Sequence, residues 1–181
     1  MALRTDSFDL GGLRLSTGEG RRLDLDVVLD PFQFAGERYL VQPGLIPVRL
    51  DISRTTGNGY ALRLRFWAQL VGPCMRCLAD ADADADADAA SGFDVDAREI
   101  SQPGEGDELD SPYVDRGVLE LRAWARDALA LTLPAQILCR SDCAGLCEIC
   151  GVDLNLAGPE HGHDRGPDPR WAKLSELRFD P

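Results

Sequence analysis

The residues that can do chemistry are eight: Cys74, Cys77, Cys139, Cys143, Cys147, Cys150, His161 and His163. They are all six cysteines and both histidines of the chain, and every one stands in a short ligand-type spacing. Cys74 and Cys77 make a CxxC, Cys139 and Cys143 a CxxxC, Cys147 and Cys150 a second CxxC, and His161 and His163 an HxH. A two-residue gap lets the backbone curl until two thiolates and two amides face one cation, which is why zinc knuckles use it. Gly151, directly after Cys150, suits the tight turn that such a knuckle requires. Eight soft donors make two tetrahedral sites with none left over, and thiolate with imidazole favours zinc over iron. The spacing therefore predicts two zinc ions.

The preferred pairing puts Cys74, Cys77, Cys139 and Cys143 on one ion, and Cys147, Cys150, His161 and His163 on the other. The rival joins the two CxxC knuckles and leaves Cys139, Cys143, His161 and His163 together. Disulfides are disfavoured in the cytosol, where thiols are kept reduced. A thioredoxin-type redox centre needs a βαβ unit around its CxxC, and none is visible. Complete sets of four donors read as structural, since a catalytic zinc keeps a position open for water. Pro73-Cys74-Met75-Arg76-Cys77 echoes the PCxxC of zinc deaminases, but no His precedes position 161 to supply their HxE. There is no Walker A loop, GxSxG or HExxH. The expectation is a protein without enzymatic activity; the alternatives are a zinc-dependent hydrolase or nuclease, and a zinc-storage or redox-sensing protein.

The elements that must position these residues begin with alternation. Arg21 to Leu29 alternates and ends at Asp30-Pro31, a strand followed by a turn. Val48, Leu50 and Ile52 alternate with Arg49, Asp51 and Ser53; Leu62, Leu64 and Phe66 alternate with Arg63, Arg65 and Trp67. Asn58-Gly59 between them predicts a tight hairpin turn, because both residues tolerate positive φ. Residues 79–89 are an Ala-Asp repeat whose period of two continues through Phe93, Val95 and Ala97, which favours a strand over an acidic arm. Residues 101–111 read as a loop. Val118, Leu121, Trp124, Ala125, Ala128 and Leu131 fit one face of a helix that Pro134 ends. Asp168-Pro169 opens a short helix with Trp171, Leu174 and Leu177 on its inner face. The fold class expected is α+β: a curved antiparallel sheet, one main helix and a zinc-stapled C-terminal segment. Residues 1–134 form the core domain and 135–181 the Cys/His-rich segment packed on it, too poor in large apolar groups to hold itself without staples.

Two surfaces can meet partners. Arg63, Arg65, Trp67 and Gln69 stand in line on the outer face of the hairpin with Arg49 across from them, a set suited to phosphate contact and base stacking. The row Asp80, Asp82, Asp84, Asp86 and Asp88 would instead attract a basic protein. The net charge of −12 is uneven: residues 71–120 hold three Arg against fourteen acids, while residues 1–70 hold nine Arg against eight. No apolar run approaches a membrane span, and residues 1–10 carry Asp6 and Asp9 with no signal-peptide h-region. The expected location is the cytoplasm.

Leu138-Cys139-Arg140-Ser141-Asp142-Cys143-Ala144-Gly145-Leu146-Cys147-Glu148-Ile149-Cys150-Gly151-Val152-Asp153-Leu154-Asn155 resembles the LCxxDCxGLCxxCGxxLN stretch of the YceD-like family. Cys74-Met75-Arg76-Cys77-Leu78 is similar to its CxRCL element, and Asp168-Pro169-Arg170-Trp171-Ala172-Lys173-Leu174 to its DPRWAxL tail. Relatives often carry Pro where Glu148 stands and CxC where this chain has His161-Gly162-His163, an exchange that keeps two metal ligands. The resemblance implies a role in accumulation of large-subunit ribosomal RNA, without enzymatic activity or a small-molecule substrate. The partners it implies are the pre-ribosomal large subunit, its RNA or a basic ribosomal protein. Some members lack most of these cysteines, which makes zinc a scaffold device in this branch.

Overall fold

The computed structural model describes residues 5–79, 92–102, 110–163 and 170 of the chain. Alternating side chains build its centre. In β5 (Ile46–Arg54), Ile46, Val48, Leu50 and Ile52 are buried; in β6 (Tyr60–Val71), so are Tyr60, Leu62, Leu64, Phe66, Ala68 and Leu70. The antiparallel register sets Val48 against Phe66, Leu50 against Leu64 and Ile52 against Leu62, so both strands present their apolar side chains to one face. β2 (Gly20–Val27) pairs with β5, and β7 (Gly92–Ser101) pairs with the opposite edge of β6. Beyond the end of β5, β6 continues and takes β4 (Glu37–Gln42) as its partner through residues 69–71; β3 (Phe32–Phe34) then pairs with β4. A small second sheet joins β1 (Phe8–Asp9), β9 (Val118–Leu119) and β8 (Val114–Asp115). α1 (Leu121–Thr132) packs against β7 and buries Leu121, Trp124, Ala125, Ala128 and Leu129.

Antiparallel sheets and one α-helix are thus present among the described residues, and sheet predominates over helix more than the α+β expectation implied. No described helix is long and apolar enough to cross a membrane. Residues 80–91 and 171–181 lie outside the described residues, and with them the Ala-Asp repeat after Ala79 and the C-terminal helix of Trp171, Leu174 and Leu177. The loop expected at 101–111 is described only at Ser101, Gln102, Asp110 and Ser111. The alternation does continue in β7, where Val95 is buried and Phe93 and Ala97 are partly buried.

Three expectations are corrected. The expected β5–β6 hairpin forms, with Arg54–Tyr60 as its last pair, but the positive φ of its turn falls on Gly57 (72°) and not on Asn58 or Gly59. Gly59 is required for space, since a Cβ there would lie 2.4 Å from Thr55 Oγ1 and 2.7 Å from the Ser101 carbonyl oxygen. Val118 belongs to β9, because pairing with β1 and β8 keeps the chain extended until Leu121. Leu131 is 89% exposed, while Leu129 in the same last turn is fully buried, so position 131 lies off the inner face of α1.

The outer face of β2, β5, β6 and β7 is a lattice of charge. Neighbouring strands set Arg22 beside Asp51, Asp24 beside Arg49, and Arg65 beside Asp96. Arg22 Nε donates to Asp51 Oδ1 at 2.6 Å, Arg65 Nη2 to Asp51 Oδ2 at 2.6 Å, and Arg49 Nε to Asp24 Oδ1 at 3.2 Å. Arg63 grips Asp96 with both Nε and Nη2. The hydrogen bond from Arg22 holds the Asp51 carboxyl below the usual range, and Arg65 adds to it against the opposing effect of burial. A carboxyl whose folded pKa is lowered stabilises fully above its unfolded value, near 3.9, and loses that contribution as pH falls through the lowered one. Asp51→Asn is therefore expected to be less stable at pH 7 than the parent and to lose stability less steeply below about pH 4. Denaturant midpoints at pH 7 and pH 3 check this; parallel curves for both proteins would contradict it.

Candidate metal centres

The first centre hangs on the end of β6. After Val71, Gly72-Pro73 turn the chain, and Tyr39 Oη donates to the Pro73 carbonyl oxygen at 2.8 Å, fixing the turn to the core. Gly72 is needed because a Cβ there would meet the Tyr39 ring at 2.5 Å. The knuckle then closes by two backbone bonds: Cys74 N–H to Ala79 O (2.9 Å) and Leu78 N–H to Cys74 O (3.0 Å). The second knuckle repeats the pattern at the same spacing, with Cys147 N–H to Val152 O (2.8 Å) and Gly151 N–H to Cys147 O (2.8 Å). Each needs a left-handed residue four places after its first cysteine. Gly151 supplies it at φ 73°, as its place in the sequence foretold; in the first knuckle Leu78 does so at φ 58°, at the steric cost that a side chain carries there.

After α1, Pro134 turns the chain back towards the first knuckle. Met75 N–H donates to Ile137 O at 2.9 Å, and Arg76 reaches Gln136 Oε1 (3.1 Å) and Cys143 O (3.0 Å). This brings Cys139 and Cys143 to Cys74 and Cys77. In that quartet, and in Cys147, Cys150, His161 and His163, the ligand atoms all lie within 4.8 Å of one another. The grouping is the preferred one of the two that the spacing allowed.

The distances fit a tetrahedral ion. Zn–S bonds of about 2.3 Å put tetrahedral sulfurs about 3.8 Å apart, and mixed S/N edges about 3.5 Å. Cys74 Sγ lies 3.7 Å from Cys143 Sγ, and Cys77 Sγ 3.7 Å from Cys139 Sγ. Cys150 Sγ lies 3.7 Å from His161 Nε2 and 3.3 Å from His163 Nε2. All six cysteines are free of disulfides. The donor sets therefore fit a divalent, thiophilic cation, which would cross-link β6 to residues 139–143 at one centre and close residues 147–163 at the other.

The two centres differ in exposure. Cys74, Cys77 and Cys143 are buried, whereas Cys150 and His163 are exposed. Burial pushes the Cys74 thiol up, but the amides of Cys77, Arg76 and Cys139 outweigh it and bring it down to about 6. The His161 side chain, then the amides of Cys150 and Ile149, bring Cys147 to about 6 as well. Burial first, then the neighbouring thiols, pushes Cys139 up to about 12. Each quartet thus holds one thiol well below the ordinary cysteine value.

Arg49, Arg63, Arg65 and Trp67 do share one face, with Trp67 lying over Gly92 and 47% exposed. The three arginines are spent on Asp24, Asp96 and Asp51. Counted over the outward positions of β2, β5, β6 and β7, Arg22, Arg49, Arg63, Arg65 and Arg98 are matched by Asp24, Asp26, Asp51, Asp94 and Asp96, so that face has no net charge. The countercharges were visible in the alternation of the strands, but only the register shows which Asp meets which Arg. The other residue that sequence reasoning passed over is Asn155, which donates to Cys143 Sγ at 3.5 Å.

A mostly antiparallel β-protein carrying two four-donor knuckle centres is the class that fold and site define. The chain belongs to the YceD family: the family model described as "Large ribosomal RNA subunit accumulation protein YceD" matches residues 62–178, from β6 through both centres. Uncharacterised proteins of Mycobacterium bovis and Mycobacterium tuberculosis are each 32% identical over 166 residues, covering 91% of this chain and 78% of theirs. One from Mycobacterium leprae is 34% identical over 132 residues, 72% of this chain and 59% of its own. No solved structure matches.

Proposed function

We propose that this chain is a non-enzymatic cytoplasmic factor that supports accumulation of the large ribosomal RNA subunit, with both quartets filled by structural zinc. The observation that carries the reading is the completeness of the quartets: four ligand atoms within 4.8 Å of one another at each centre match the donor set of a tetrahedral structural zinc, whereas catalytic sites ordinarily use three protein donors. That argues against a zinc hydrolase or nuclease. The direct partner is a basic protein of the large subunit. A sheet face without net charge gains nothing from releasing counterions off a phosphate backbone, and the acidic excess of residues 71–120, fourteen acids against three Arg, attracts cations.

The test is made in cells that lack the gene, reading the ratio of large- to small-subunit ribosomal RNA. Wild type and Arg63→Ala/Arg65→Ala are expected to restore the ratio, and Cys77→Ser/Cys139→Ser to fail. A ratio unaffected by loss of the gene would contradict the function. Failure of the arginine variant alone would return the contact to RNA.

A further inference from the structure

Asn155 lies outside both donor sets, yet its carboxamide is fully engaged. Oδ1 accepts from Arg140 Nη2 at 2.8 Å and from the Ala144 N–H at 2.7 Å. Nδ2 donates to Asp153 Oδ1 at 2.7 Å and to Cys143 Sγ at 3.5 Å. Two donors on one side and a carboxylate on the other fix which way round the amide sits. The Asn155 N–H also donates to Asp153 Oδ1, at 2.8 Å.

The partners belong to different centres. Cys143 is a member of the four-cysteine quartet. Asp153 pairs with Leu146 across the base of the second knuckle, just outside the bond from Cys147 N–H to Val152 O. Leu154 N–H to Gly145 O, at 2.8 Å, runs alongside. One half-buried side chain therefore joins a sulfur of the first centre to the hairpin that presents Cys147 and Cys150. Four thiolates on a divalent cation carry an excess charge of −2, and N–H donors to sulfur are what relieve it. The Arg76 N–H provides one, to Cys74 Sγ at 3.4 Å, and Asn155 provides another.

We propose that Asn155 is a positioning residue that couples the two metal centres, so that filling either raises the affinity of the other. This rests on the reading of the quartets as metal centres. Removing an outer partner of a ligand typically costs 10–100-fold in metal affinity, and coupling between sites is reciprocal by thermodynamic necessity.

The experiment is titration of the reduced, metal-free full-length protein with Co²⁺ alone. The thiolate-to-cobalt absorption separates a four-sulfur centre from a two-sulfur, two-nitrogen one. Asn155→Ala is expected to weaken Co²⁺ at the four-cysteine centre by about 10–100-fold. His161→Ala/His163→Ala, which empties the second centre, is expected to weaken the first in the parent but hardly further in the Asn155→Ala background. Arg140→Ala removes an exposed anchor of the same carboxamide and guards against a folding defect at position 155; a smaller loss in the same direction is expected. Wild-type affinity of the four-cysteine centre in Asn155→Ala, or indifference of that centre to His161→Ala/His163→Ala, would overturn the coupling. A wild-type chain that takes up no Co²⁺ would overturn the metal reading itself, before any variant is compared.

Discussion

Cys143→Ser is expected to lower the metal content from two ions per chain to one and to release residues 135–163 to proteolysis. Cys143 is 2% exposed and stands 3.7 Å from Cys74 Sγ, so its loss opens the quartet from within. Structural zinc contributes an apparent 10–16 kcal/mol or so in zinc-finger peptides, comparable with the whole stability of about 5–15 kcal/mol of an ordinary domain. The segment after α1 has little else to hold it. Its buried members are Ile137, which joins the main core, and Cys143 and Gly145 beside the first knuckle. The sheet core is made of other residues and should stay folded. Limited proteolysis with native mass spectrometry reads both effects; a protease-resistant variant that keeps two ions would contradict the staple.

Trp124→Ala is expected to cost about 3–5 kcal/mol, the usual price of deleting a buried aromatic, and to lower the melting temperature by roughly 6–20 °C. Trp124 is 2% exposed on the inner face of α1, with Tyr113 stacked beside it at 6.4 Å between centroids. Tyr113 is itself tied to the helix by its hydroxyl, which donates to Asp127 Oδ2 at 3.1 Å. The cavity would loosen α1 from β7, the strand it packs against. The metal content should stay at the wild-type value, because Trp124 touches neither quartet. Calorimetry with metal analysis separates the two variants: one loses an ion, the other loses stability with both ions kept.

Side chains repeating at the period of their own element were legible before the structure. The alternation at 48–52 and 62–66 marked β5 and β6 with their inner faces, and Leu121, Trp124, Ala125 and Ala128 marked the inner face of α1. Features set by distant pairing were not legible. β3 and β4 are short, and their turn is Ala35-Gly36 with φ of 52° and 91°, where alanine gives no sign of a left-handed backbone. The helix start moved to Leu121 because β1, distant in sequence, claims Val118 and Leu119. The same divide runs through the site. Cysteine spacing exposed the two knuckles, since each is built within six residues, and Gly151 announced its turn. Leu78 doing the same work, and Asn155 reaching across from one centre to the other, follow from contacts that no local pattern encodes.

The central claim is that each quartet holds one zinc ion. Elemental analysis of protein purified without chelator, on wild type and on His161→Ala/His163→Ala, tests it most directly. Two zinc ions per chain falling to one is the predicted result. One ion or none in the wild type, or two retained in the variant, would contradict it.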